Sequence, residues 1–217
     1  ATDGTVYVAD TDNHRVRRIS TGGIIDTIAG TGTFGDDGDG GPATSASLSG
    51  LLSIALSPAG DILYIGDIDN NRVRQVDLST GVITNFAGLG LSGFGFDGDG
   101  GPATSASLAV PEGVAVDASG NVYIGDLFNC VVRKVDAVTN IITTVAGHHV
   151  APGTPGWCSP SGDGGDALDD APGADSGKRA SAGVEQHALS AAAPLQRRPR
   201  VIEIHRYRAD HLAADRH

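Results

Sequence analysis

Apolar residues along most of the chain fall in short runs rich in Val, Ile and Tyr, bounded by Gly, Asn, Asp and Ser. That is the pattern of strands and tight turns. Between Gly113 and Gly147 the runs read GVAVD, NVYIGD, VVRKVD and IITTVAG, and nothing between them has the length or the 3.6-residue period of a helix. The pattern predicts four short antiparallel strands in this stretch.

The same pattern is written three times. GTVYVADTDNHRVRRI begins at Gly4, GDILYIGDIDNNRVRQV at Gly60 and GNVYIGDLFNCVVRKV at Gly120, and the units close at Gly30, Gly88 and Gly147. Asp10, Asp67 and Asp126 mark one position, 57 and 59 residues apart. A four-stranded unit repeated at this spacing buries its faces only against its neighbours, and radial stacking of blades is the usual solution. The strings PEGVAVDASGNVYIGDLFNCVVRKVD and GTVYVADTDNHRVRRI resemble the NHL repeat over residues 1–165. The form is similar to bacterial and teneurin-like versions, in which a closing AG leads into a GDGGPA loop. The resemblance implies an all-β fold, a β-propeller of NHL type with about three four-stranded blades. It also implies a six-bladed ring. The chain opens inside a repeat, so it is read as a fragment whose first partners are the remaining blades of the same polypeptide.

Charge narrows the function. The formal net charge is −11, and residues 1–165 hold 7 Lys or Arg against 18 Asp or Glu. Nucleic-acid binding needs clustered cations, so no nucleic-acid partner is expected. No run approaches the roughly 18 apolar residues of a helical membrane span. Two cysteines, Cys130 and Cys158, do not make a disulfide framework, and whether they pair stays open.

Three sets of repeated residues are the candidates for chemistry. Tyr7, Tyr64 and Tyr123 share one position and read as packing aromatics between sheets. The triplets Asp10, Asn13, Arg15 and Asp67, Asn70, Arg72 recur as Asp126 and Asn129 with Val131 in the arginine's place. They read as a turn between the second and third strands, Asn tolerating a left-handed backbone and Arg reaching a carboxylate on the same or the next blade. The acidic phrase FGDDGDGGPATSASL at residues 34–48 returns as FGFDGDGGPATSASL at 94–108. Asp37 and Asp39, and Asp97 and Asp99, have an oxygen-ligand spacing found in calcium loops. No terminal Glu follows, and the expected role is a connector between blades. In it Pro42 and Pro102 start a single helical turn, and Leu48 and Leu108 return to the core. As exposed turn residues, Asp39 and Asp99 are expected to tolerate Asn at about 1 kcal/mol or less.

Residues 166–217 leave the pattern. SGDGG at 161–165 begins a third connector, but an Ala- and Arg-rich stretch then replaces Pro-Ala-Thr and the next blade. A diverged blade, a disordered tail and an out-of-frame translation all fit, and His187, His205, His211 and His217 have no shared ligand spacing. The domain reading is therefore 1–165 propeller and 166–217 tail. NHL-like amidating lyases imply a channel metal held by His, but LLSIALS and EGVAVD carry none, and His14, His148 and His149 lie in loops. The expected function is a non-catalytic binding scaffold for a protein or carbohydrate partner, bacterial and extracellular or periplasmic. The alternative is a metal-dependent lyase or hydrolase.

Overall fold

The computed structural model describes residues 3–149. Two four-stranded antiparallel sheets and one three-stranded sheet stand side by side as β-propeller blades. Blade 1 holds β1 (Val6–Asp10), β2 (Arg15–Ile19) and β3 (Ile25–Ala29). Blade 2 holds β4 (Leu51–Leu56), β5 (Ile62–Asp67), β6 (Arg72–Asp77) and β7 (Ile83–Ala87). Blade 3 holds β8 (Pro111–Val116), β9 (Val122–Asp126), β10 (Val131–Val135) and β11 (Ile142–Ala146). In each blade the strands pair in chain order, as a meander does.

The apolar positions of the repeat face the neighbouring blade. Between blades 1 and 2 lie Tyr7, Val16, Leu48, Leu51, Ile54, Ile65 and Ile83; between blades 2 and 3 lie Tyr64, Val73, Leu108, Val114, Ile124 and Ile142. The three repeated tyrosines are all buried. Tyr64 meets Phe86 edge to face at 4.8 Å, and Tyr123 donates its hydroxyl to Asp117 at 3.2 Å. The inner strands are stitched by Ser53 on β4, whose hydroxyl accepts the Val114 amide of β8 at 3.0 Å.

A single 3-10 turn joins β1 to β2 (Thr11–Asn13), β5 to β6 (Ile68–Asn70) and β9 to β10 (Leu127–Asn129). The left-handed residue is not the repeated Asn but the one after it: His14, Asn71 and Cys130 have φ of 49°, 52° and 60°. The Asn side chain is engaged elsewhere, as described below. Cys130 is buried and disulfide-bonded; Cys158, and the tail from residue 166, lie outside the described residues.

Among the described residues no helix is long and apolar enough to cross a membrane. The only helical elements there are 3-10 turns.

Candidate functional site: the connector latch

The two acidic phrases cross from one blade to the next and grip it at two places. The first is the outer edge. Gly40 donates its amide to the carbonyl of Ile83 at 2.8 Å, Ile83 returns an amide to Gly41 at 3.0 Å, and Ala43 donates to Gly81 at 2.8 Å. One unit later Gly100, Gly101 and Ala103 repeat this with Ile142 and Asn140. The connector thus acts as a short fifth strand and removes the open edge of β7 and of β11. Pro42 and Pro102 stand immediately before one-turn helices, Ala43–Ser45 and Ala103–Ser105. Leu48 and Leu108 then enter the core with no exposure. Gly38 and Gly98 are required twice over. Each has φ near 90°, and a Cβ there would lie 2.6 and 2.7 Å from the Cα of Ala46 and Ala106.

The second grip is a buried polar cluster built from an arginine. Arg74 in blade 2 and Arg133 in blade 3 are fully buried. Arg17, Arg74 and Arg133 hold one position in all three copies, two residues beyond the Arg15, Arg72 and Val131 position. In every blade the register between the arginine's strand and the outer strand shifts at this residue, after Val16, Val73 and Val132. A bulge of this kind re-aims a side chain. The guanidinium of Arg74 donates to Asp39 at 2.7 and 3.0 Å, to the Ser47 carbonyl at 2.8 Å and to the Asp37 carbonyl at 3.1 Å. Arg133 pairs with Asp99 at 2.7 Å and donates to the carbonyls of Asp97 and Ser107 at 3.2 and 3.4 Å. All these acceptors belong to the incoming connector.

The turn residues complete the cluster. Asn70 donates to Asp67 at 2.9 Å and to the connector carbonyl of Gly35 at 2.7 Å; Asn129 does the same with Asp126 and Gly95. Asp67 accepts the amide of Ser49 at 2.8 Å, and Asp126 that of Ala109 at 2.7 Å, where the connector turns into the next inner strand. Arg74 and Arg133 lie 3.8 and 3.6 Å from these two carboxylates. The repeated Asp, Asn and Arg are therefore the receptor for the preceding connector.

The sequence differences between the two clusters have an electrostatic consequence. Arg72 lies 3.4 Å from Asp67, reaches Asp39 at 3.0 Å and also donates to the Asp36 carbonyl. Blade 3 has Val131 at this place, and its connector has Phe96 in place of Asp36. Phe96 lies under Arg133, 4.9 Å from the guanidinium carbon, and stacks on His149 at 4.2 Å. Burial pushes both carboxylates up against the pull of their Asn and Arg partners. Asp126, with one guanidinium instead of two, is pushed up to about 7.

Asp39 and Asp99 are exposed as expected, but in place of serving only as turn residues they are the counterions of buried arginines. Asp37 and Asp97 contribute carbonyls to the same arginines. The carboxylate of Asp37 accepts the Ser47 side chain and amide, which hold it below the usual carboxylate range. That of Asp97 caps the amide of Gly98. The guanidinium occupies the place a cation would take between these oxygens. Among the described residues no group of three or more His, Cys, Asp or Glu side chains could hold a metal ion.

The Teneurin NHL domain family matches residues 82–163. Human Teneurin-1 is 33% identical over 159 residues, covering 67% of this chain and 5% of that protein. NHL repeat-containing protein 2 of Gallus gallus is 32% identical over 94 residues, covering 43% of this chain and 12% of its own. This is an NHL-repeat chain. A third relative, Protein SUPPRESSOR OF QUENCHING 1 of Arabidopsis thaliana, is 28% identical over 145 residues, covering 65% of this chain and 14% of that protein. The chain thus spans 5 to 14% of the length of these three. Solved structures it is similar to include virginiamycin B lyase from Staphylococcus aureus, at TM-score 0.44, 16% identity and coverage of 74% and 41%. The Agrobacterium tumefaciens regucalcin is another, at TM-score 0.41, 19% identity and coverage of 66% and 42%. Likenesses this distant carry nothing about the chemistry of the NHL chain.

Proposed function

We propose that the chain is a non-catalytic binding module that docks a protein partner on the rim where the second connector meets blade 3. The observation carrying this reading is an exposed aromatic pair. Phe94 of the connector and Phe128 of the blade 3 turn meet edge to face at 6.3 Å, yet are 59% and 44% exposed. Leu89 and Leu91, on the same connector, are exposed as well. Apolar side chains gathered on a rim mark a contact surface, and aromatics supply most of the binding energy at such surfaces. A carbohydrate would use the ring faces but not the flanking leucines, so the composition favours protein. The acidic groups that would otherwise suggest catalysis, Asp67 and Asp126, are engaged in holding connectors. An extracytoplasmic setting is proposed too, since Cys130 is disulfide-bonded and such bonds persist in oxidising compartments.

The test is a comparison of the chain with the double variant Phe94→Ser and Phe128→Ser on panels of displayed extracellular proteins and of glycans. A protein ligand retained by the chain and lost by the variant is expected. Ligands bound equally by both, or glycans alone, would overturn the reading. Turnover of a lactone or glycan by the chain would do so as well.

A further inference from the structure

Five Asp-Gly steps lie among the described residues, and at four of them another group engages the carboxylate. That of Asp3 accepts the amide of Thr5 at 2.9 Å, and that of Asp37 the amide of Ser47 at 3.2 Å. Asp39 and Asp99 face the guanidinium groups of Arg74 and Arg133, while Gly40 and Gly100 donate their amides to Ile83 and Ile142. Asp97 departs from its twin Asp37. The equivalent amide, that of Ser107, donates at 3.3 Å to the backbone carbonyl of Asp97 and not to its carboxylate. The carboxylate turns onto the amide of Gly98, 2.7 Å from the nitrogen. The carbonyl of that same peptide unit also accepts from Arg133 at 3.2 Å.

We propose that Asp97 is a self-modification site, at which the Asp97-Gly98 step closes to a succinimide and reopens as an isoaspartyl linkage. The Gly98 nitrogen attacks the Asp97 carboxyl carbon. An N–C bond forms, a C–O bond breaks, and the carboxyl hydroxyl leaves as water with the amide proton. In the closed ring the carboxyl carbon lies in the amide plane where the N–H bond stood, and the hydrogen bond already points that way. The reacting groups are therefore held close to their attack geometry. Hydrogen bonds from Ser107 and Arg133 to the carbonyl draw electron density from the peptide unit and make its N–H easier to ionise. Gly98 puts no side chain in the path, and Asp97 is exposed, so water reaches the ring. Water adding to the former backbone carbonyl breaks its bond to the Gly98 nitrogen and leaves the chain running through Cβ and Cγ. No oxidant or further reactant is needed, because the water lost in the first step is regained in the second. The product lengthens the connector by one backbone carbon and turns the carbonyl that Arg133 holds into a carboxylate. The latch of blade 3 is altered and that of blade 2 is not.

The experiment incubates the folded chain in heavy-oxygen water at about pH 6, where more carboxyls carry the proton that the leaving water needs than at neutral pH. Peptide mapping by mass spectrometry then reads label and isoaspartate at each Asp-Gly step. Isoaspartate at Asp97 is expected to exceed that at Asp37 roughly tenfold or more, the two steps having the same residues and differing in how the groups are held. In urea, where both phrases lose their contacts, the gap is expected to close. Equal modification of Asp97 and Asp37 in the folded chain would overturn the proposal, as would an unmodified Asp97. A gap that persists in urea would trace it to Phe96 standing where the first phrase has Asp36, and would overturn the structural assignment too.

Discussion

Ile25 and Ile83 occupy the same place in the repeat, and so do Arg17 and Arg74, yet in blade 1 these residues meet solvent and in blade 2 they do not. The backbone around them is alike: the strand order, the one-turn link and the register shift before the arginine recur in both. What differs among the described residues is the connector seated on blade 2. The comparison teaches that the Asp, Asn and Arg of an NHL blade are half of an interaction. Their burial is conferred by the fifteen residues 34–48, which lie 18 or more positions upstream in the chain.

The largest effect that could break this comparison is removal of the arginine. Arg74→Leu leaves Asp67 buried with a depleted counterion and strands the connector carbonyls, a loss of about 3–5 kcal/mol by the usual cost of breaking a buried pair. Arg17→Leu, at a partly exposed pair, costs less than about 1 kcal/mol. Urea denaturation of both variants is the measurement, and equal losses would mean that the connector contributes little.

Next in size is the edge. Ile83→Ala opens a cavity under the connector and costs about 2–4 kcal/mol. Ile25→Ala, at an exposed site, stays within about 0.5 kcal/mol. Thermal melts that rank them the other way would show that β3 is covered in solution.

A smaller loss is expected from the connector's own charge. Asp39→Asn removes the counterion of Arg74, but from a site a third exposed, so about 1–2 kcal/mol is expected. Asp26→Asn, whose partner Arg18 is also exposed, is expected to cost less than that. Saturating calcium should leave the Tm of the unmodified chain where it is. A calcium-dependent rise lost in Asp39→Asn would return the aspartates to metal binding.

The subtlest expected change is in a slope. Burial pushes the Asp126 carboxyl up to about 7 in the folded chain, from an ordinary carboxylate value of 3.8. Between these values the folded state holds more protons than the unfolded one, so stability falls as pH rises from about 4 to about 7. Asp37, Asp77 and Asp136 are shifted the other way by local hydrogen bonds, and their contribution is lost only on acidification below that window. Asp126→Asn should therefore flatten the stability profile over pH 4 to 7 by at most one proton, or about 1.4 kcal/mol per pH unit. An unchanged slope in urea titrations would refute the assignment.

Much of the latch was visible in the sequence as parts without partners. The connector was legible from its repetition, its glycines and its prolines, and the turn from Asp and Asn. The arginine that joins them carries no local turn or loop signal. The Arg15 and Arg72 series breaks at Val131, whereas Arg17, Arg74 and Arg133 continue through all three copies two residues further on. Unbroken recurrence of a long cation within an otherwise apolar strand was the available signal.

By itself the sequence determined the strand, turn and blade pattern, because alternation and punctuation by Gly, Asn and Asp act over a few residues and repeat with the unit. Only the tertiary structure decided which oxygens each guanidinium meets, and whether one motif is buried or open. Those contacts join residues 26 to 37 positions apart across a blade boundary. No local period encodes such a separation; the path of the connector sets it.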